Sequence, residues 1–134
     1  MTKVNIKGVL RKEKAVVMSS LPKTWILDLD GTIVKHNGYK KDGYDTLLDG
    51  VKAYIDSIPA EDKVIILTSR TEEVEEDTLM FLADNQIRYD DILFGIPMGE
   101  RIVVNDRKPS GIDMAYAFNL DRDRFDLPKV KREL

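Results

Sequence analysis

Trp25-Ile26-Leu27-Asp28-Leu29-Asp30-Gly31-Thr32 is an apolar run that breaks off at two carboxylates and a glycine. The run reads as a strand, and carboxylates at i and i+2 of an extended chain point to the same side. At the exposed end of a buried strand such a pair makes a concentrated negative site with room for a cation. Gly31 lets the chain turn sharply just beyond it. Oxygen-only donors suit a hard divalent ion such as Mg²⁺, which keeps several of its waters. With the charge neutralised, an anionic phosphate can approach and one carboxylate is placed to attack it. The plainer reading is a solvated strand end with a turn-forming Asp-Gly, which suits an isolated Asp-Gly better than this longer pattern.

Outward from this stretch the chain alternates strand and helix patterns. Lys63–Leu67 runs into Thr68-Ser69-Arg70, and Arg101–Val104 runs into Asn105-Asp106; Ile92-Leu93-Phe94 is a weaker strand. Short continuous apolar runs suit strands buried on both faces of a parallel sheet. Leu47, Val51, Ile55 and Ile58 make one helical stripe, with Asp45 as its N-cap and Pro59 just beyond its end. Val74, Thr78, Phe81 and Leu82 make a second, with Glu72 and Glu73 in the favourable first turn. A third helix is expected from Ile112 to about Phe118, opened by Ser110, with Asp113 in its first turn. The order β-α-β-α-β-β-α predicts an α/β fold with a mostly parallel sheet, flanked by helices. Ligands of such sheets bind at the carboxyl ends of the strands, where all three polar clusters lie.

Composition narrows the function. The chain has 134 residues, 43% hydrophobic and 34% charged, enough apolar material for one core under a charged surface. A single domain over 1–134 is expected, its core at about 24–120; residues 1–23 and the charged tail 121–134 have no firm assignment. The absence of cysteine excludes disulfide scaffolds and thiol nucleophiles, and a single His excludes a His-rich metal site. Net charge −3 argues against nucleic acid as a partner. No apolar run approaches the roughly 20 residues of a membrane span, and no signal-peptide pattern opens the chain. A cytoplasmic protein is expected.

Asp28-Leu29-Asp30-Gly31-Thr32 resembles the first motif of the haloacid dehalogenase (HAD) superfamily, mostly Mg²⁺-dependent phosphatases on a Rossmann-like fold. Thr68 matches the Ser/Thr of the second motif, and Asn105-Asp106 resembles the acidic fourth. The resemblance implies Asp28 as nucleophile and Asp30 as general acid/base. It implies Asp28, Asp106 and the Asp30 backbone carbonyl as metal ligands, and Thr68 on the transferring phosphoryl group. Ser69 and Arg70 adjoin that motif as substrate-binding candidates; Arg70 either forks onto an anionic substrate group or pairs with Glu72 or Glu73 on the surface. His36, with Lys40 and Lys41, lies in the loop 33–44, where this superfamily places a small flap. A solvated loop is the blander reading.

The superfamily's Gly-Lys-Pro lysine is replaced here, since the chain reads Gly95-Ile96-Pro97. Lys108, two residues beyond Asp106, is the first substitute. Arg101 is second, because at the start of a strand it would stand about 17 Å from Asp106, at ~3.3 Å per residue. No large cap domain fits between the motifs. The resulting expectation is a minimal HAD-type phosphatase acting on a small phosphomonoester (a phosphorylated sugar, polyol or amino alcohol, as in surface-polysaccharide biosynthesis). It would work through an aspartyl-phosphate with Mg²⁺, a second copy of the chain being left open as a partner. Two alternatives stand beside it: a catalytically weak scaffold that binds a partner, and a phosphatase of nucleic-acid ends. A receiver-type signalling domain fits the Asp-x-Asp-Gly-Thr pattern poorly.

Overall fold

The computed structural model describes residues 15–133. The chain forms two compact units. One comprises Pro22–Arg101 with Leu120–Phe125; the other comprises, among the described residues, 15–21, Ile102–Asn119 and 126–133.

The first unit is built on three parallel strands. β2 (Thr24–Asp28) pairs with β3 (Lys63–Leu67), which pairs with β4 (Asp91–Leu93). The register sets Asp28 opposite Leu67 and Leu67 opposite Leu93, so the carboxyl ends are level. Thr68 therefore emerges beside the end of β2, and its N–H donates to the Leu93 carbonyl at 3.0 Å. The helices are α1 (Gly38–Lys41), α2 (Val51–Asp56) and α3 (Glu75–Asp84), the last entered through a 3₁₀ turn at Glu72–Val74. Leu27, Val64 and Ile66 of the sheet share a buried core with Leu29, Ile33, Val51, Ile55 and Leu82. Trp25, Tyr54 and Phe125 stack edge to face at its margin, with ring centroids 5.8 and 5.5 Å apart. The Trp25 indole donates to buried Asp62 at 2.9 Å. Burial is uneven across the sheet: Val64 and Ile66 are buried, Ile65 and Leu67 half-buried, and Ile26 is 49% exposed.

Two helix or loop assignments change in this unit. The stripe from Leu47 does not start a helix there, because Asp45 binds a side chain instead of capping. Leu47 makes an antiparallel bridge with Val34, and the Leu48 N–H donates to the Ile33 carbonyl. α2 begins only after Gly50, whose φ of +86° turns the chain into it. The loop 33–44 contains the single turn α1, entered through Asn37 in the left-handed region. Residues 121–125 of the tail lie on this unit: the Asp123 N–H donates to the Gly31 carbonyl at 2.8 Å, and Asp123 Oδ1 accepts from the His36 N–H at 2.6 Å.

The second unit holds a two-stranded parallel sheet, β1 (Ala15–Met18) on β5 (Lys129–Arg132). The end of the charged tail is thus a strand. Within the segment 3–23, residues 3–14 lie outside the described ones. Residues 101–104 form no strand, with Ile102 and Val104 84% and 88% exposed. β-branched residues favour a strand only where a ladder and a packing surface receive them. The helix expected from Ile112 to about Phe118 is likewise absent. Seven residues are too few to hold a helix without a buried face, and Met114, Tyr116 and Phe118 are all exposed. Asp113 is accordingly not in a first helical turn but pairs with Arg107 at 2.7 Å.

Candidate functional site

Asp28 ends β2, and two residues later the chain turns back on itself. The N–H groups of Ile33 and Val34 donate to the Leu29 carbonyl, and that of Gly31 to the Val34 carbonyl. Gly31 has φ +87°, and a Cβ there would meet Arg122 Cγ at 3.3 Å, so the turn requires glycine. This loop presents Asp28 and Asp30 together at the sheet edge.

The two carboxylates have different surroundings. Asp28 is 40% exposed, accepts a hydrogen bond from the Thr32 hydroxyl at 3.2 Å, and faces Arg101 Nη2 at 3.5 Å. Desolvation pushes its carboxyl above the ordinary range, against Arg101, Thr32 and the Leu29 N–H, which pull it back. Asp30 is gripped at both oxygens by Arg70, Nε to Oδ2 at 2.9 Å and Nη2 to Oδ1 at 2.8 Å.

Arg70 is buried, and it is the hub of the site. Its remaining N–H groups donate to Asp45 at 3.0 and 2.7 Å and to the Thr78 hydroxyl at 2.9 Å, so all five donors have acceptors. The ring of Tyr39, from α1, lies 4.1 Å from the guanidinium carbon. Burial works against the charge, yet the bonds to Asp30 and Asp45 outweigh it and hold the guanidinium above its ordinary pKa. Neither sequence alternative for Arg70 describes this arrangement. Its partners are Asp30 and Asp45, not Glu72 or Glu73, and no N–H remains for a substrate. Thr68 is buried, its hydroxyl accepting from the Arg70 N–H at 3.1 Å. Ser69 is half-buried between them, and the loop at Ile96 folds back so that its N–H donates to the Thr68 carbonyl at 3.0 Å.

One unit therefore gathers Asp28, Asp30, Thr68, Ser69, Arg70 and His36, the last held through its backbone by Asp123. Asp106 and Lys108 belong to the other unit, both exposed. Asn105 Nδ2 donates to the Asp106 carbonyl at 3.2 Å, and Lys108 is part of a turn closed by its N–H to the Ile112 carbonyl. A depression of about 250 Å³ in that unit is lined by Asn105, Arg107, Asp113, Met114 and Ala115. Lys108 ranks before Arg101 only if Arg101 starts a strand that ends at Asp106. That strand does not form, and Arg101 stands beside Asp28.

Sequence reading missed Asp45, Tyr39 and Thr78. Asp45 reads as a cap and Thr78 as one rung of an apolar stripe; only the fold brings them to Arg70. Among the described residues no three acidic or histidine side chains are gathered as a metal cluster. With both Asp30 carboxylate oxygens on Arg70, Asp28 is the side chain of the pair that fits a hard cation. Its donors are oxygens, and the desolvated carboxylate has one ion pair at 3.5 Å to offset its charge. Among the described residues no helix is long and apolar enough to cross a membrane.

No family model and no curated protein matches the chain. Among solved structures, a chain from "Structure of Pnkp1/Rnl/Hen1 complex" is similar at 35% identity over 62% of this chain, with a TM-score of 0.48. The match spans 31% of that chain.

Proposed function

We propose that this protein is a Mg²⁺-dependent phosphoric monoester hydrolase of HAD type that works through an aspartyl-phosphate on Asp28. The observation that carries the reading is the unequal pair at the end of β2. Asp28 is half-open and under-compensated, whereas Asp30 is fixed in place by the Arg70 fork. A nucleophile has to reach the phosphorus, and a proton donor has to be held at a set orientation to the leaving oxygen.

In the forward step an Asp28 oxygen bonds to phosphorus while the bond from phosphorus to the alcohol oxygen breaks. The Asp30 carboxyl gives its proton to that oxygen. Water then attacks the phosphorus of the acyl phosphate, Asp30 takes the water's proton, and the Asp28 carboxylate is regenerated. Asp28 and the Asp30 carbonyl would hold Mg²⁺, whose charge offsets the repulsion that otherwise keeps the phosphate away. Arg101 adds a cation on the Asp28 side. Small alkyl phosphates such as phosphorylated sugars, polyols and amino alcohols are the proposed substrates.

The test is phosphate release from a panel of these compounds, p-nitrophenyl phosphate and an end-phosphorylated oligonucleotide. Release from a small phosphomonoester, abolished by EDTA and restored by Mg²⁺, is expected. Release from none of the small compounds, or release unaffected by EDTA, contradicts the reading; preferential turnover of the oligonucleotide moves the substrate class to nucleic-acid ends.

A further inference from the structure

We infer that Asp45 is a positioning residue for Asp30, acting through Arg70. The inference rests on the proposed role of Asp30 as proton donor and extends it to a residue that touches neither phosphate nor leaving group.

The geometry leaves Arg70 one orientation. Asp30 holds one edge of the guanidinium and Asp45 the adjoining edge, the two sharing Nη2 at 2.8 and 2.7 Å. Thr78 fixes Nη1 at 2.9 Å, and Thr78 is itself anchored, its hydroxyl donating to the Val74 carbonyl at 2.7 Å. Tyr39 covers a face. Arg70 and Asp45 are 2% and 7% exposed, so water does not replace a lost contact. A guanidinium bound to a single carboxylate can rock about that fork. A second carboxylate on the neighbouring edge stops the motion, and so sets the plane of the Asp30 carboxylate. Each Asp30 oxygen uses one lone pair on Arg70 and keeps another for the proton it transfers.

Replacing Asp45 by Asn puts an amide N–H₂ or a single oxygen where two acceptors stood. Arg70 must then tilt or leave a buried donor unpaired. Asp30 follows the tilt, and proton delivery suffers more than attack by Asp28. A merely structural role would weaken both steps alike, and leaving-group dependence separates the two cases. Departure of p-nitrophenolate needs no proton, whereas departure of an alkoxide does.

The experiment measures kcat/KM of the wild type and of Asp45→Asn on p-nitrophenyl phosphate and on an alkyl phosphate that the wild type accepts. This ratio stops at release of the alcohol, so hydrolysis of the acyl phosphate does not enter it. General acid catalysis contributes about 10²–10⁴, and its partial loss should lower the alkyl value by about 10–10² with a fall below about 3-fold on the aryl ester. An equal fall on both substrates, or none on either, overturns the proposal. Should Asp45→Asn unfold by circular dichroism, Asp45→Glu displaces the same carboxylate by one methylene and must show the same selectivity for the alkyl ester, or the proposal fails. Asp28→Asn is the separate control. A wild type that hydrolyses both esters and an inert Asp28→Asn keep the phosphatase reading whatever Asp45 does, while a wild type inert on both overturns that reading and this proposal with it.

Discussion

Arg101 Nη2 lies 3.5 Å from Asp28 Oδ1, so the strand end that collects two carboxylates also carries a cation. Arg101 belongs to no motif of the sequence. What brings it to Asp28 is the path of the chain after β4.

Arg101→Ala removes that cation from a partly exposed pair. A preorganised charge at a developing oxyanion is worth about 10²–10³ in kcat, and screening at this exposure places the expected loss near the lower figure. Lys108→Ala in the same assay is the comparison. A near-normal Arg101→Ala beside a crippled Lys108→Ala would assign the role to Lys108.

Asp28→Asn should stabilise the metal-free protein while abolishing turnover. Desolvation raises the Asp28 carboxyl above its ordinary 3.8 in the folded state, despite Arg101. The unfolded chain therefore ionises first as pH rises, and the stability of the folded state that depends on the neutral carboxyl is lost as pH climbs through the folded value. The Asn variant has no such loss. Solvent screening at this exposure keeps the net effect to a fraction of a kcal/mol. Its melting temperature at pH 7 should then exceed wild type by about 1–3 °C. The gap should close below the ordinary carboxylate range. A variant that melts lower than wild type at pH 7 would show that Arg101 and Thr32 more than offset the desolvation.

Asp123 joins the tail to the loop after the first motif and does so at φ +64°. Asn keeps both the side-chain acceptor and tolerance of this conformation. Gly keeps only the conformation and loses a hydrogen bond worth about 1 kcal/mol. Ala loses the bond and takes on left-handed strain of about 1–2 kcal/mol. The expected order of denaturant stability is wild type and Asn, then Gly, then Ala. A variant Asp123→Ala as stable as wild type would mean that this tail contact contributes nothing.

The parallel sheet of the first unit was readable because Trp25–Leu27 and Lys63–Leu67 are apolar runs that stop at polar residues, a local signal. α3 was readable for the same reason, its stripe lying after an acidic first turn. The segments around Ile102–Val104 and Ile112–Phe118 carry equally good local patterns, yet neither forms its element. Propensity decides nothing where no neighbour supplies a ladder or a buried face. That Asp28, Asp30 and Thr68 stand together at the strand ends was legible from where the apolar runs stop. The clasp of Asp45, Thr78 and Tyr39 around Arg70 was not, because each comes from a different segment and each has a commoner local use.

In the proposed reaction Asp28 receives the phosphoryl group. The most direct measurement is mass spectrometry of protein acid-quenched during turnover of an accepted phosphomonoester with Mg²⁺, followed by mapping of the modified peptide. One added phosphoryl group is expected on the peptide containing Asp28, and neither adduct nor phosphate release from Asp28→Asn. Undiminished phosphate release by Asp28→Asn, with no adduct on Asp28 in the wild type, would contradict it.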